Sequence, residues 1–286
     1  MKRNDDDLFR QQYSVEIDEE GYPIEYEDEL YPPQEEAPRK KKSVLRKILV
    51  RLLILCVIVL LADLAILLYS GQLWFNEPRK KDFPVRGPVM DNSGGEINWK
   101  AMSKQNVQMC YLRATSSDSY IDDSFEKNWE SAKRSAIPVG AVHVFDLKTD
   151  GKAQAEIFLS AMGELKGRLT PAVEISPSIV KRLFAPDVNK VGTNLRDFVD
   201  TVKQACGAAP IIKCSSSAYD KYIKGEFNDC MIWYESLFSE PKSDVSWTFW
   251  EYTSRMRIEG FEKSDKYLHF SVYRNSEADF KKLIIN

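Results

Sequence analysis

The chain has 286 residues and a formal net charge of −3, but the charge is unevenly placed: residues 1–38 hold thirteen acidic and three basic side chains, and residues 39–51 hold seven basic and no acidic ones. From Leu52 onward the chain is close to neutral, so nothing points to a nucleic-acid-binding face. The length accommodates one large domain or two ordinary ones.

Residues 1–47 read as an acidic, disordered tail with a basic juxtamembrane end. Dense like charge and few aliphatics leave too little apolar surface to offset the entropy of ordering. Tyr22, Tyr26 and Tyr31 stand among the acids and leave open a short motif for a cytoplasmic partner; a solvated tail is the simpler reading.

Residues 48–75 contain LLILCVIVLLADLAILLY, an apolar run just long enough to cross a hydrocarbon core of about 30 Å as a helix. The basic cluster before it (Arg39, Lys40, Lys41, Lys42, Arg46, Lys47, Arg51) predicts a cytoplasmic N-terminus and an extracellular C-terminal domain. Trp74 and Phe75 are expected at the outer interface. No small-residue cleavage site follows, which predicts an uncleaved single-pass anchor in the cell membrane. Asp63 in mid-span is costly; either a partner helix meets it or local hydration tolerates it.

After a linker over 76–86, residues 87–286 form the outer domain. Its four cysteines (Cys110, Cys206, Cys214, Cys230) have no C-x-x-C spacing and only His143 and His269 for company, so neither a zinc site nor another cofactor is expected. An extracellular location permits disulfides, the spacing assigns none, and buried free thiols are the safer reading.

Apolar runs bounded by Pro, Gly or Ser predict strands over 87–91, 107–113, 138–145, 169–175, 209–214, 230–234, 246–252 and 267–273, with helices over 98–105, 122–136, 150–166 and 193–206. This alternation predicts a parallel sheet, and eight strands in about 200 residues predict a closed, irregular TIM-like β/α barrel. Beyond residue 207 the helices shorten and the last strands follow one another closely.

Reactive groups of such barrels sit at the C-terminal strand ends. Those ends offer Asp91, Arg113 with Thr115, His143 with Asp146, Glu174 with Ser176, Lys213, Trp233 with Tyr234, and Trp250 with Tyr252. Carboxylates ringed by aromatics suit a carbohydrate cleft: aromatic faces stack on sugar rings, and carboxylates protonate the glycosidic oxygen or stabilise an oxocarbenium ion. Core packing is the plain alternative for any one aromatic.

Several segments in order resemble glycoside hydrolase family 25, the N-acetylmuramidase lysozymes. MDNSGGEINWKAM (90–102) is similar to that family's "Asp-x-Ser … Gly-Asp-Ile-Asp-Trp" opening, and YLRATSSDSYIDDSFEKNWESAKRSAIPVGAVHVF (111–145) to its "Lys-Ala-Thr-Glu-Gly" strand, helix and "Gly-Ala-Tyr-His-Phe" strand. APIIKCSSSAYDKYIKGEF (209–227) and WTFWEYTSRMRIEGF (247–261), the latter beside "Trp-x-Tyr-Thr-Ser", continue the match. The resemblance implies an irregular β/α barrel acting on peptidoglycan.

It also implies catalytic residues, most of which this chain has changed. In the family's central Asp-x-Glu strand, occupied here by LTPAVEIS, Glu174 falls at the Asp and Ser176 at the general acid. A hydroxyl does not ionise usefully near neutral pH, and general acid catalysis contributes roughly 10²–10⁴-fold. Asp91 matches the opening Asp if two residues are missing before Gly94; otherwise Val89 takes its place. His269 stands at the final Asp, while Val142 and Lys213 stand at two strand tyrosines. Remnant carboxylates are therefore Glu174 and Asp91, and His143, Trp233, Trp250, Tyr252, Lys213 and Arg113 are the candidate substrate contacts. One reading is a degenerate lysozyme-like domain binding peptidoglycan glycan strands or an envelope protein. The other is an active N-acetylmuramidase with Glu174 as its key carboxylate.

Overall fold

The computed structural model describes residues 17–22, 44–70, 73, 76–91, 95–176, 187–261 and 267–286. Most of the acidic tail, Tyr26 and Tyr31, the basic residues 39–42, and Trp74 with Phe75 lie outside the described residues. Two compact units divide the chain, Met1–Val57 and Ile58–Asn286. In the first, the Asp18 carboxylate closes a turn by accepting from the Glu20 and Tyr22 backbone N–H groups.

Helix α1 (Val44–Tyr69) is 26 residues long and carries apolar side chains almost throughout. At 1.5 Å per residue it spans about 39 Å. Among the described residues it is the one helix long and apolar enough to cross a membrane.

The rest is a barrel. Strands β1 (Arg86–Met90), β2 (Cys110–Ser116), β4 (Val139–Val144), β5 (Ala172–Ile175), β6 (Ile211–Ser215), β7 (Ile232–Glu235), β8 (Phe249–Met256) and β9 (Leu268–Tyr273) pair in a closed ring, completed by β1 against β2. All eight strands expected from the sequence are present. A ninth, β3 (Tyr120–Ile121), folds back on the end of β2. The sheet is mixed rather than parallel, because β9 runs antiparallel to both β8 and β1. The reason is local: parallel neighbours need a crossover of a dozen or more residues, usually a helix, and Met256 is followed too closely by Leu268 for one.

Helices α2 (Trp99–Met102), α3 (Phe125–Ser131), α4 (Gly151–Met162) and α5 (Val188–Cys206) cover the first half, and α6 (Glu277–Lys281) closes the chain. Asp150 and Asp187 cap α4 and α5 by accepting backbone N–H bonds, and Gly207 ends α5 in the left-handed region at φ 75°. Helix α5 buries Val191, Leu195, Phe198, Val199 and Val202, which recur at i, i+4 and i+7 on one face. Beyond it, only short turns at Ser216–Ala218 and Tyr219–Ile223 precede β7.

Strand alternation splits the core in two. Inward-facing Val89, Tyr111, Val142, Ala172, Ile211, Trp233, Phe249 and Tyr273 fill the barrel, plugged at its base by Phe280 and Leu283. Outward-facing side chains pack under the helices. Tyr111, Trp233, Phe249 and Tyr273 meet ring to ring at 4.9–5.1 Å. The five described cysteines are free thiols.

Closure depends on Gly87: a Cβ there would lie 1.7 Å from the Met109 carbonyl oxygen, on backbone that cannot step aside. Gly87→Ala is expected to cost more than about 3 kcal/mol, the range of severe core lesions, and to lower the urea midpoint of the purified protein. An unchanged midpoint would contradict this closure.

Candidate active site at the barrel mouth

Above the aromatic floor, the next inward positions are charged. Strand β5 places Ala172 inward in the floor and Glu174 one layer higher; β6 does the same with Ile211 and Lys213, β7 with Trp233 and Glu235, and β8 with Phe249 and Glu251. Apolar filling stops here because the mouth is open to water, and each charge must then find a partner.

They pair in series. Asp91 Oδ2 lies 3.2 Å from Arg113 Nη1, and Arg113 Nη2 lies 3.4 Å from Glu174 Oε2. Lys213 Nζ sits 3.2 Å from Glu174 Oε1 and 3.1 Å from Glu251 Oε2, and His269 Nδ1 is 2.6 Å from Glu251 Oε1. Lys213 and Glu251 are buried, Glu174 is 12% exposed, and His269 is half open to solvent.

The electrostatics follow from this order. Burial by itself would raise the Glu174 carboxyl, but Lys213 and then Arg113 override it and hold the group at about 2. Glu251 is likewise kept below its ordinary value, by Lys213 and His269 against the cost of burial. Lys213 is raised despite burial, by Glu174 and Glu251, and the Glu251 hydrogen bond raises His269. Glu235 moves upward instead, through burial and the neighbouring Glu251 charge.

Six of the residues singled out from the sequence converge here: Asp91, Arg113, Glu174, Lys213 and His269 at the mouth, with Trp233 beneath them donating its indole N–H to Ser271 Oγ at 2.9 Å. Asp91, not Val89, reaches the mouth; Val89 belongs to the floor. Ser176 follows β5 at the same rim, its Oγ buried without a hydrogen-bond partner among the described residues.

Three others stand on the opposite face of their strands. His143 lies on the outer wall, stacked 4.9 Å from the Phe198 ring, where it accepts from Thr115 Oγ1 at 2.7 Å and donates to Gln154 Oε1 at 3.1 Å. Burial brings its pKa down to about 4, so it is a neutral packing residue. Trp250 and Tyr252 also face outward, Trp250 donating to the Ser236 carbonyl at 2.9 Å and packing on Phe83 and Trp247. The physical reason is parity: Val142 and Glu251 point in, so their chain neighbours cannot.

Glu235 and Glu251 escaped the sequence reading for the same cause. In IWYE and FWEY the aromatics carry the rim pattern, and the glutamates between and after them do not stand out from it. A signal existed: each Glu lies two residues beyond an inward aromatic, Trp233 or Phe249. Among the described residues no group of three His, Cys, Asp or Glu is placed to hold a metal ion.

A pocket of about 140 Å³ opens at the network, lined by Asp91, Arg113, Lys213, Tyr267 and His269 with Val89, Met90 and Leu268. Holding a water needs about 10–15 Å³ of such space, so the pocket admits several waters or a small polar group.

The sequence model of Glycosyl hydrolases family 25 matches residues 90–261. The uncharacterized protein YegX of Escherichia coli O157:H7 is 22% identical over 209 residues, 71% of this chain and 74% of its own length. Lysozyme M1 of Streptomyces globisporus is 26% identical over 190 residues, 62% of this chain and 64% of its own. The solved family 25 glycosyl hydrolase of Bacillus anthracis superimposes with a TM-score of 0.68 at 28% identity, covering 73% of this chain and 97% of that one.

Two outcomes test the network. Lys213→Met removes the buried cation shared by Glu174 and Glu251, leaving each only its outer partner, Arg113 or His269, and should cost about 3 kcal/mol, the lower end of what breaking a buried pair costs; a urea midpoint within error of the parent would contradict it. Glu174 is depressed on folding, so its contribution is present above its unfolded value of about 4.3 and is lost as pH falls toward 2. Thermal unfolding should therefore drop in temperature from about pH 4.5 downward, and Glu174→Gln should flatten that slope. An unchanged slope in Glu174→Gln would remove Glu174 as its source.

Proposed function

Because this chain belongs to glycosyl hydrolase family 25, we propose that its barrel is a lysozyme-like domain that has kept the glycan-facing mouth and given up hydrolysis. The observation that carries this reading is the Glu174 carboxylate held between Lys213 and Arg113; the family resemblance adds a serine, Ser176, where the general acid is expected. A glycosidase needs one carboxyl that keeps its proton near neutral pH. Glu174, held at about 2, has none to give. The transition state is oxocarbenium-like and cationic, and two cations beside the carboxylate oppose it.

The same groups suit recognition. Arg113, Lys213 and His269 offer N–H donors around the pocket, and Asp91 adds an acceptor. An acetamido or carboxylate group of a peptidoglycan glycan strand fits that chemistry; an envelope protein presenting a carboxylate is the alternative partner. Helix α1 supports a single-pass membrane anchor at the cell membrane, N-terminus inside and barrel outside, with the segments 1–47, 48–75, 76–86 and 87–286 as tail, anchor, linker and domain. Asp63 and the acidic tail are its remaining partner-facing features.

A second reading has one observation behind it: Glu235 is the mouth carboxyl whose proton affinity is raised. If hydrolysis persists, Glu235 is the better proton donor and Glu174 a supporting anion.

Digestion of purified peptidoglycan distinguishes these. The intact protein should release fewer soluble glycan fragments than a family lysozyme by about 10²-fold or more, the scale of a lost general acid, while still sedimenting with the insoluble wall. Release that disappears in Glu174→Gln or Glu235→Gln would contradict the non-hydrolytic reading. Ser176→Glu alone should stay inactive, since Lys213 remains against Glu174; restored release by that single change would show that the cations are no obstacle.

A further inference from the structure

The last carbonyls of a helix have no intrahelical partner and attract cations. At the end of α1 the Tyr69 carbonyl accepts from Arg255, through Nε at 2.7 Å and also through Nη2. The same guanidinium lies 4.3 Å from the Tyr69 ring and 4.2 Å from the Tyr267 ring, and Arg257 lies 5.0 Å from Tyr267. Arg255 stands four residues beyond Glu251 on β8, about 13 Å further along the strand. The contact is therefore made on the mouth side of the barrel. A second contact agrees: Asn76 Nδ2 donates to the Leu237 carbonyl at 3.4 Å, on the loop that leaves β7 at the mouth. From there the chain descends the outer wall, where Phe83 packs on Trp250, and enters β1 from below.

Exposed apolar side chains show the same polarity. Among the barrel's described residues, four large ones are exposed: Tyr120, Ile121, Val188 and Phe238. Tyr120 and Ile121 form β3 on the C-terminal end of β2, and Phe238 is on the loop after β7. Val188 opens α5, the helix that returns from the mouth to the start of β6. All four are on the mouth rim, and the base exposes none.

We infer that the barrel docks mouth-first on the outer leaflet of the membrane, with Arg255 clamped between Tyr69 and Tyr267 and the rim residues Ile121, Val188 and Phe238 resting in the lipid interface. The inference rests on the reading of α1 as a membrane anchor. Interfacial groups of this kind, apolar side chains beside Arg, bind a bilayer surface by burial and by attraction to anionic lipid. The charged network then lies on the order of 13 Å from the membrane surface, so the glycan within its reach is the membrane-proximal end, not the outer wall.

The test uses the full chain in phosphatidylglycerol-containing vesicles, with Cys56 and Cys206 replaced by alanine. A fluorophore is attached at Ser239→Cys on the mouth loop or at Lys281→Cys on the basal helix, and a headgroup spin-labelled lipid serves as quencher. Interfacial groups sit within about 5–10 Å of the headgroup boundary, so the mouth label should be quenched at least about twofold more than the basal one. Arg255→Ala should shrink that difference while the chain survives an alkaline wash of the vesicles. Equal quenching of the two labels in the retained chain would overturn the docking alone. Loss of the chain in the wash would overturn the anchor reading, and the docking with it.

Discussion

Lys213 is the residue on which the rest of the mouth depends. Its ammonium is buried between two glutamates of different strands, Glu174 on β5 and Glu251 on β8, at 3.2 and 3.1 Å. Without that cation the interior above Trp233 would hold two carboxylates with little solvent to compensate them, and like charges so close cannot both stay ionised cheaply. With it, the charges alternate from Asp91 through Arg113, Glu174, Lys213 and Glu251 to His269 across the barrel's open end. Buried ion pairs of this kind add little net stability over an apolar filling, but they are severe to break. Their effect here is to fix where each carboxylate points and whether it carries a proton.

That protonation pattern separates fold from chemistry. The scaffold is that of a glycoside hydrolase family. A fold hosts an activity only through the groups placed on it. Here the central carboxylate lies between two cations, Lys213 and Arg113, and the second residue beyond it bears a hydroxyl, Ser176. The mouth is polar and lined by N–H donors from Arg113, Lys213 and His269. The carboxyl with raised proton affinity, Glu235, lies on another strand, where burial and the Glu251 charge act on it together.

Much of this was legible in the chain. Eight apolar runs with turn residues between them specified eight strands, and the loss of helices after residue 207 was visible as closely spaced strands. Glu174, Ser176, Lys213 and Asp91 could be placed because β5, β6 and β1 are short and their parity is plain. What failed was parity at aromatics. In VGAVHVF and TFWEYT both faces of the strand are buried, one in the barrel and one under helices or the linker, so hydrophobic alternation is silent about direction. His143, Trp250 and Tyr252 were accordingly expected at the mouth and instead pack outward, and Glu251 was missed. The antiparallel course of β9 follows from the connection before it, which is too short for a parallel crossover. The contact of Arg255 with Tyr69 spans 186 residues and no local pattern announces it.

The central claim is that Glu174 is an ionised anchor of a charged network and not a proton donor. The most direct measurement is a ¹³C NMR titration of the Glu174 side-chain carboxyl in the folded protein. The account predicts a midpoint at about 2. A midpoint of about 5 or above, in the range to which catalytic acids are tuned, would contradict it.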